Sequence, residues 1–280
     1  MGTSAPGRRE VVRAGSVGIA LGALGLGAAP AAAAGVDTPA QLTAALDRYM
    51  ATRAGNAGLM VRDNRTGRYF AWRPPLNRHT HSTIKVLVLI TTLKIMQDRG
   101  QGLTSSQKSL ASRMIRSSDN DATDALVRFA TLRRLRIVAD QIGLRETTVH
   151  GSTVFRAPTW WGHSTSSPRD LVQTMNQLVL GTYLTSDRRA YARSLMASVT
   201  PSQTWGLGDG LPSSVHVELK NGWGPRSDGY RLNGVGHVSG QGRSFQLAFM
   251  SRSHNGYGYG QETVNRLCRI VFDALDQPLA

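Results

Sequence analysis

One apolar run constrains the fold more than any other feature of the sequence. It reads VLVLITTL over residues 86–93, follows Ser82 and Lys85 directly, and is ended by Gly100. The run is too long for a β-strand, so it predicts a buried helix. The chain has 280 residues, 40% of them hydrophobic, which suffices for one large domain or two small ones.

The remaining periodicities place this helix between two groups of strands. Cap and breaker residues predict a first helix with Asp37 or Thr38 as its cap, Pro39 in its first turn and Gly55 just past its end. A hairpin around Asn64 and Gly67 follows, and residues 103–200 are mostly helical without a convincing strand. Three strands near 215–220, 229–238 and 243–252 and a helix over 261–276 complete the chain. This order favours one antiparallel sheet covered by helices from both termini.

The first 34 residues form a separate segment. Arg8 and Arg9 precede an Ala- and Gly-rich apolar stretch that ends in APAAAAG, with a predicted cut near Ala34. This order is typical of a secretory signal peptide, and the paired arginines favour the twin-arginine route. The alternative is an N-terminal membrane anchor, but the stretch is shorter than the roughly 20 residues that span a bilayer. We therefore expect an exported protein with no stable membrane span after processing.

The charge of the chain bears on its partners. The formal net charge is +15, which favours anionic surroundings such as a cell envelope. The arginines are scattered and form no basic helix or aromatic-basic module, so a nucleic-acid partner is not expected. The single cysteine, Cys268, shares a helical face with Val264, Leu267 and Val271, which predicts a buried thiol.

Ser82 and Lys85 are three residues apart at the head of the apolar run, so on a helix an amine can reach a hydroxyl. Serine is a weak nucleophile that needs an adjacent base, and burial can make a lysine neutral near pH 7. The chain has only four lysines, Lys85, Lys94, Lys108 and Lys220. The same spacing recurs at Ser105 and Lys108, where Ser105 is interpreted as a helix cap and Lys108 as a solvated charge.

Two further motifs point to the same chemistry. Ser118, Asp119 and Asn120 lie between helical segments, and Lys220, Asn221 and Gly222 end a predicted strand. With Ser82 and Lys85, these motifs resemble those of the serine β-lactamase and penicillin-binding protein (DD-peptidase) superfamily, whose patterns are S-x-x-K, S-D-N and K-T-G. The class A β-lactamase-like branch fits best. The resemblance covers nearly all of residues 35–280.

The resemblance implies an α+β, β-lactamase/transpeptidase-like fold: an antiparallel sheet flanked by terminal helices, plus an all-helical lobe. It implies a single catalytic domain over 35–280, with a sheet lobe at about 35–80 and 212–280 and a helical lobe at about 81–211. Ser82 would be the acylated nucleophile and Lys85 the amine that takes its proton.

It also implies roles for the other motif residues. Ser118 would relay a proton to the leaving nitrogen, and Asn120 would bind a substrate amide and support Lys85. Lys220 would attract a substrate carboxylate. Asn221, Gly222 and Trp223 would line the substrate site, with the backbone amides of Ser82 and Trp223 as the oxyanion hole. No metal or cofactor is implied.

Three departures from the family pattern concern the substrate. Asn221 stands where the family has Thr or Ser, and the stretch before Ser118 is short, which would leave the cleft more open. No Asp or Glu occurs between Gly151 and Arg169, where class A β-lactamases carry the glutamate that activates the deacylating water. His150 and His163 lie near this segment, where a histidine could act as a base or be a polar loop residue.

We therefore expect a secreted serine hydrolase or acyltransferase that acts on an amide or ester, with a β-lactam or D-alanyl, peptidoglycan-like substrate and slow β-lactam deacylation. The alternative is a non-catalytic, envelope-binding module that retains the fold.

Overall fold

Strands from both ends of the chain form the main sheet. The computed structural model describes residues 1–2, 39–73, 78–151 and 159–279. Five of its strands are hydrogen-bonded in the order β2-β1-β7-β6-β5, and every neighbouring pair is antiparallel. They are β1 (Gly55–Asp63), β2 (Tyr69–Trp72), β5 (His216–Arg226), β6 (Gly229–Gly240) and β7 (Arg243–Ser253). The prediction of one antiparallel sheet from two groups of strands is confirmed.

The helices are distributed as the sequence predicts, with one at each end and a helical block between the two groups of strands. They are α1 (Pro39–Met50), α2 (Lys85–Asp98), α3 (Ser105–Arg116), α4 (Asn120–Ala130), α5 (Leu132–Gln141), α6 (Pro168–Val179), α7 (Ser186–Ala197) and α8 (Gly256–Ala274). Short 3₁₀ turns cover His81–Ile84, Trp160–His163 and Pro201–Gln203.

The two faces of the sheet support separate hydrophobic cores. On one face, Leu46 of α1 and Val271 of α8 are fully buried with Leu247 of the sheet. On the other face, Val235 and Met250 pack with the helical block. Burying one such side chain contributes about 1.5–3 kcal/mol. The sheet therefore fixes the helical block against one face and leaves the terminal helices on the other.

Helix α2 is the predicted buried helix, and 11 of its 14 residues are buried. Besides Lys85, two of them are polar, Thr91 and Thr92, and each hydroxyl donates to the carbonyl four residues earlier at 2.8 Å. Local hydrogen bonds of this kind remove the cost of burying the hydroxyl. The α-helix begins at Lys85, while Ser82 lies in the 3₁₀ turn that leads into it. The predicted buried helix is thus confirmed, and the turn that leads into it is a 3₁₀ turn.

Three local features differ from the sequence predictions. A two-residue ribbon, β3 (Arg78–His79) paired with β4 (Thr165–Ser166), lies outside the predicted strands, because two residues are too few to produce a periodic pattern. The cap of α3 is Thr104, one residue before Ser105, and its hydroxyl accepts from the Gln107 backbone N–H while the Gln107 side chain accepts from the Thr104 N–H.

The third difference is the start of α8, which begins at Gly256, five residues before the predicted position. Its first turns read GYGYG, a composition that disfavours a helix. A Cβ atom at Gly260 would lie 2.3 Å from the Leu232 side chain and 2.8 Å from the Ser253 Cβ atom. Glycine at this position therefore lets the helix pack closely on the sheet, and this contact outweighs the poor helix propensity.

Several predictions concern the N-terminal region and the membrane. Residues 3–34 of the predicted signal peptide, and the possible caps Asp37 and Thr38, lie outside the described residues, so these stay predictions. Across residues 39–73, 78–151 and 159–279, no helix has both the length and the apolar composition needed to cross a bilayer. Cys268 is buried on α8, as predicted, and burial raises the pKa of its thiol.

Candidate active site

Ser82 lies in a 3₁₀ turn that is anchored to the sheet. The turn follows β3, and His81 enters it with a φ of +47°, a conformation rare for a residue with a side chain. Asn233 of β6 donates to the His79 carbonyl at 2.8 Å, and the Thr83 hydroxyl donates to the Thr80 carbonyl at 2.8 Å. The nucleophile candidate is therefore held by hydrogen bonds on both sides of its own position.

Gly222 allows strand β5 to approach this turn. A Cβ atom at residue 222 would lie 2.6 Å from the Ser82 backbone nitrogen and 2.7 Å from the Thr80 carbonyl oxygen. Any side chain here would overlap backbone atoms that cannot move separately. The glycine of the third motif thus places Trp223, the next residue of β5, beside Ser82.

Lys85 is fully buried and bound to the second motif. Its Nζ atom lies 2.7 Å from the Ser118 carbonyl oxygen, 3.1 Å from Ser118 Oγ and 2.9 Å from Asn120 Oδ1. The indole ring of Trp161 lies 4.8 Å from the same nitrogen. Among the described residues, no hydrogen bond joins Lys85 to Ser82. Catalytic contacts of this kind are often long until substrate is bound.

Burial makes Lys85 a base near neutral pH. Loss of hydration lowers its pKa from 10.5 to about 7, and the negative charges of Asp119 and Asp124 oppose part of this shift. A large fraction of the folded molecules therefore carries the neutral amine at pH 7 or above. This is the property that the sequence predicts for a lysine placed beside a serine nucleophile.

Ser118 connects the two buried lysines. Lys220 donates from Nζ to Ser118 Oγ at 3.0 Å and to the Asn221 carbonyl at 2.9 Å. Burial, and secondly the charge of Lys85, lowers the pKa of Lys220. Ser118 adopts a φ of +59°, and Asp119 after it caps α4 by accepting from the Ala122 backbone N–H. The motif therefore combines a helix cap with an unusual backbone conformation that directs the Ser118 hydroxyl at both amines.

These contacts allow a proton to move between Lys85 and Ser118. A neutral Lys85 amine has two N–H groups, which the Ser118 carbonyl and Asn120 Oδ1 can accept, and one lone pair. Lys85 Nζ and Lys220 Nζ both lie within hydrogen-bond distance of Ser118 Oγ, so the Ser118 hydroxyl can accept from Lys220 while it exchanges a proton with Lys85. The arrangement can pass one proton between Lys85 and Ser118 without moving a heavy atom.

Asn221 does not have the role that the sequence predicts. Its side chain is fully buried, and its two amide hydrogens are donated to the backbone carbonyls of Gln203 at 2.8 Å and Trp205 at 2.9 Å. An amide with both N–H groups bound has none left for a substrate carboxylate. We therefore correct the prediction: Asn221 links β5 to the 201–205 segment and is not a substrate-binding donor.

A small cavity of about 100 Å³ lies at the motifs. Ser82, Asn120 and Trp223 line it together with His81 and Trp161. The structure thus brings together the predicted residues of all three motifs, because Lys85, Ser118 and Lys220 are hydrogen-bonded at the Asn120 side of this cavity. Ser105 and Lys108, the second pair with the same spacing, are both exposed on α3 and do not line the cavity.

The turn at 159–163 presents the indole ring of Trp161 to Lys85. Trp161 is buried, faces Lys85 and donates from its indole N–H to Asp124 at 2.6 Å. His163 accepts at Nδ1 from Arg226 at 2.8 Å, and burial, followed by the charge of Arg226, lowers its pKa. Residues 152–158 lie outside the described residues, and neither His163 nor His150 lines the cavity.

Sequence reasoning missed two residues of this site. Asp124 lies four residues after Asn120 on α4, so helical spacing alone would place both on one face near Lys85. His81 precedes Ser82, lines the cavity and has a ring that packs against Gly224. Burial and the charge of Arg226 lower the pKa of His81 to about 3, so its ring is neutral. No local pattern predicts this contact, which depends on the close approach of β5.

Within the described ranges, no group of three or more His, Cys, Asp or Glu side chains is arranged to hold a metal ion. The polar side chains that line the cavity include the hydroxyls of Ser82 and Thr159, the amide of Asn120 and the imidazole of His81. Such groups suit hydrogen bonding and proton transfer.

Known structures share this fold. A class A β-lactamase from Bacteroides cellulosilyticus DSM 14838 is 17% identical, with a TM-score of 0.76, over 86% of this chain and 99% of its own. The TLA-1 extended-spectrum β-lactamase is 15% identical, with a TM-score of 0.76, over 85% and 99% of the two chains. The ancestral class A β-lactamase GNCA is 21% identical, with a TM-score of 0.72, over 83% and 99%. At these identities the likeness establishes the fold.

Sequence comparison identifies the family. A search for relatives among curated proteins gives no match. A family model described as the beta-lactamase enzyme family matches residues 92–275, which is well over half of the chain. The match begins after Ser82 and Lys85, so the geometry described above, and not the match, places these two residues. The resemblance inferred from the motifs is confirmed: the chain belongs to the beta-lactamase enzyme family and has the serine-hydrolase fold of class A β-lactamases.

Proposed function

We propose that the protein is a serine hydrolase or acyltransferase that forms an acyl-enzyme on Ser82 with an amide or ester substrate. The observation that carries the proposal is the hydrogen-bonded group of Lys85, Ser118 and Lys220 next to the Ser82 turn. A buried lysine with a pKa of about 7, in contact with a serine relay, supplies the base that a serine nucleophile needs. A β-lactam or a D-alanyl, peptidoglycan-like peptide is the proposed substrate class.

The proposed acylation moves protons among Ser82, Lys85 and Ser118. The Ser82 O–H bond breaks as Oγ bonds to the substrate carbonyl carbon, and the neutral amine of Lys85 takes the proton. The carbonyl electron pair moves to oxygen, where the backbone N–H groups of Ser82 and Trp223 are proposed to stabilise it. When the carbonyl re-forms, the bond to the leaving nitrogen or oxygen breaks. That atom takes the Ser118 proton, and Ser118 recovers a proton from Lys85.

Deacylation is proposed to be slow for β-lactams. It requires a base on a water molecule, and the residue that faces Lys85 from the 159–163 turn is Trp161, an indole without a basic nitrogen. The sequence from Gly151 to Arg169 holds no acidic residue. A base typically contributes about 10²- to 10⁴-fold to such a step. The acyl-enzyme is therefore expected to accumulate with a penicillin.

Mass spectrometry of the intact protein tests the proposal. After exposure to a penicillin, the protein is expected to gain the whole mass of the drug, because ring opening releases no fragment. The Ser82→Ala variant should gain nothing, and the matched control Ser105→Ala should be labelled as the unaltered protein is. Labelling that is lost with Ser105→Ala would place the nucleophile on α3. Penicillin binding without an adduct would instead support a non-catalytic binding module.

Export is a separate part of the proposal. It is supported by Arg8 and Arg9 ahead of the apolar stretch, by the small residues near Ala34, and by the net charge of +15, which suits an anionic cell envelope. The N-terminal sequence of the protein recovered outside the cytoplasm tests it. A new N-terminus close to residue 35 is expected, whereas protein that stays in the cytoplasm with residues 1–34 attached would contradict it.

A further inference from the structure

Helix α5 presents arginines on its exposed side. Its sequence is LRRLRIVADQ, and its buried residues are Leu135, Val138 and Ala139. Since successive residues are about 100° apart around a helix axis, the opposite side is formed by residues 133, 134, 136 and 137. These are Arg133, Arg134, Arg136 and Ile137, and all four are exposed. The expectation of scattered arginines without a basic helix therefore fails at α5.

The charge of these arginines is not neutralised by the described contacts. Asp140, the only acidic residue of α5, forms an ion pair with Arg145 at 2.9 Å. Arg136 donates from Nε to a backbone carbonyl at 3.0 Å, which is a neutral partner. Among the described residues, the side chains of Arg133 and Arg134 have no hydrogen bond or ion pair. Like charges one turn apart on a helix repel each other, so an anionic partner would relieve this repulsion.

Two exposed apolar side chains lie in the same part of the helical block. Ile137 is 38% exposed, and Leu180, which directly follows α6, is 48% exposed. Tyr183 lies three residues after Leu180, and its hydroxyl donates to the Gln141 side chain at 2.6 Å. Gln141 lies one turn after Ile137 on α5. Outside residues 1–2, the described ranges contain one further exposed large apolar side chain. We refer to Arg133, Arg134, Arg136, Ile137 and Leu180 as the basic surface.

Both apolar side chains of the basic surface have arginines next to them. Ile137 lies one turn after Arg133 on the same side of α5. Arg189 of α7 donates from Nη1 to the backbone carbonyl that precedes Leu180, at 3.3 Å, so its guanidinium group lies at the end of α6. Arginines that flank exposed apolar side chains are typical of helices that bind at the interface of a bilayer.

The combination of charge and apolar surface distinguishes between anionic partners. A soluble polyanion such as nucleic acid would bind the arginines alone and leave Ile137 and Leu180 in water. A bilayer of anionic phospholipids offers headgroup phosphates, which match the planar guanidinium fork. Below the headgroups it also offers an apolar region for the two apolar side chains. The net charge of +15 favours approach to such a bilayer.

We propose that the basic surface docks the protein on a bilayer of anionic phospholipids, with its guanidinium groups at the headgroup phosphates and Ile137 and Leu180 at the edge of the acyl chains. The start of α5 lies about 15 Å from the cavity, because α4 begins at Asn120, which lines the cavity, and ends at Ala130. As an event in the cell, the docking rests on the proposed export. Binding of the purified protein to vesicles depends neither on export nor on Ser82.

Co-sedimentation with vesicles of phosphatidylglycerol and phosphatidylcholine tests the docking. The affinity of the full chain is measured for the double variants Arg133→Gln/Arg134→Gln and Arg48→Gln/Arg266→Gln. The second variant is the matched control, because it removes the same charge from exposed positions on α1 and α8. One arginine near an anionic bilayer changes the affinity roughly fivefold, so the first variant is expected to bind roughly 25-fold more weakly than the unaltered protein, and the control much less so. Equal affinities of the two variants would overturn the proposal.

A fluorescent reporter on the basic surface makes the result independent of residues 1–34. Ile137→Cys is labelled with an environment-sensitive fluorophore, while the native Cys268 is buried and stays unlabelled. The same vesicles should shift the emission at residue 137 to shorter wavelengths. The control is Ala44→Cys, at an exposed position on α1, where no shift is expected. Circular dichroism checks folding, and Leu180→Cys replaces Ile137→Cys if the latter does not fold. No shift on the basic surface, or the same shift at residue 44, would overturn the proposal.

Short duplex DNA tests the rival partner at the same ionic strength. If Arg133→Gln/Arg134→Gln weakens DNA binding while the fluorophore at residue 137 does not respond to vesicles, the basic surface binds polyanions and the bilayer proposal is overturned. Penicillin labelling of Ser82 keeps this result separate from the proposed function. The Arg133→Gln/Arg134→Gln variant should be labelled as the unaltered protein is. Absence of labelling in every variant, with vesicle binding as expected, would contradict only the proposed function.

Discussion

Ser118 Oγ lies 3.1 Å from Lys85 Nζ, although 33 residues separate Ser118 from Lys85 in the chain. The contact joins the start of α2 to the start of α4, and Ser118 reaches it with a φ of +59°. A backbone conformation of this kind costs of order 1–3 kcal/mol for a residue with a Cβ atom. The fold retains this cost at the position where a hydroxyl can exchange a proton with a buried amine.

The pH dependence of acylation should report the pKa of Lys85. In the proposed mechanism the neutral amine is the base, so the rate is expected to rise with pH through about 7 and to level off above it. Lys85→Arg keeps the charge but cannot lose its proton, so it should lower the rate by roughly 10²- to 10⁴-fold, as Lys85→Ala does. Stopped-flow acylation by a chromogenic cephalosporin measures both. Near-normal acylation by the arginine variant would show that Lys85 is not the base.

Asp124 should set the position of this pH profile. Its negative charge raises the pKa of Lys85, so Asp124→Asn is expected to lower that pKa and shift the acid limb of the profile to lower pH. An asparagine oxygen can still accept the Trp161 indole N–H, which limits the structural effect. The control is Asp140→Asn, which changes an exposed residue at the C-terminal end of α5. An unshifted profile in Asp124→Asn, or the same shift in both variants, would contradict the assignment.

Gly222→Ala should disrupt the Ser82 turn. The new Cβ atom would lie 2.6 Å from the Ser82 nitrogen, and the overlap is with backbone, so the turn or β5 must move. We expect a loss of about 1–3 kcal/mol in the free energy of unfolding and a large loss of acylation. Chemical denaturation and penicillin labelling measure these effects. Gly102→Ala is the control, because nothing lies within 4 Å of its Cβ position. Normal labelling of Gly222→Ala would refute the close approach.

A penicillin should give a burst followed by a slow steady rate. In the proposed mechanism Lys85 is the base for acylation, whereas the described 159–163 turn presents Trp161 to the site and no carboxylate. Stopped-flow hydrolysis of a chromogenic cephalosporin, with mass spectrometry of the quenched enzyme, should show accumulated adduct. Fast multiple turnover without adduct would indicate an unrecognised base. In that case His150 and His163, which the sequence suggested, are the first residues to mutate.

The stability of the protein should depend on pH through Lys85. Its pKa is about 7 in the folded chain and 10.5 as the ordinary value, so the unfolded chain binds more protons between these limits. Stability should therefore rise as pH increases from about 7 to about 10.5. Lys85→Met removes this contribution, so its free energy of unfolding, measured by urea denaturation at several pH values, should rise less steeply with pH. The contribution of Lys220 remains in this variant. An unchanged dependence of stability on pH would mean that the Lys85 amine is not buried as described.

Sequence periodicity was sufficient for the main elements of this fold. The run after Lys85 is apolar on every side, and the alternation from His216 onward has a period of two, so helix and strand could be distinguished. The sequence could not reveal the β3–β4 ribbon or the early start of α8. Both depend on contacts between residues far apart in the chain, such as Gly260 against Leu232.

The residues of the site could likewise be predicted only in part. Motif types and spacing predicted Ser82, Lys85, Ser118, Asn120 and Lys220, and the structure groups these residues around one cavity. The motif did not predict the direction of the Asn221 side chain. Its amide donates to the backbone carbonyls of Gln203 and Trp205, which lie more than ten residues away. Contacts to backbone atoms do not depend on residue type, so the sequence does not reveal them. The pairing of Arg231 with Arg252 was equally hidden, because it depends on strand register.

The strand order of the sheet has a consequence for folding kinetics. Strand β7 pairs with β1 over nine positions, and these partners lie almost 200 residues apart in the chain. Pairings of such long range make folding slow, because the loop between them must close first. During synthesis, β1 and β2 can join the full sheet only after β7 has been made. Gly222 can contact the Ser82 turn only after β5 has been made. The nucleophile is therefore expected to become reactive only when the chain is nearly complete, and no shorter N-terminal fragment should be labelled by penicillin.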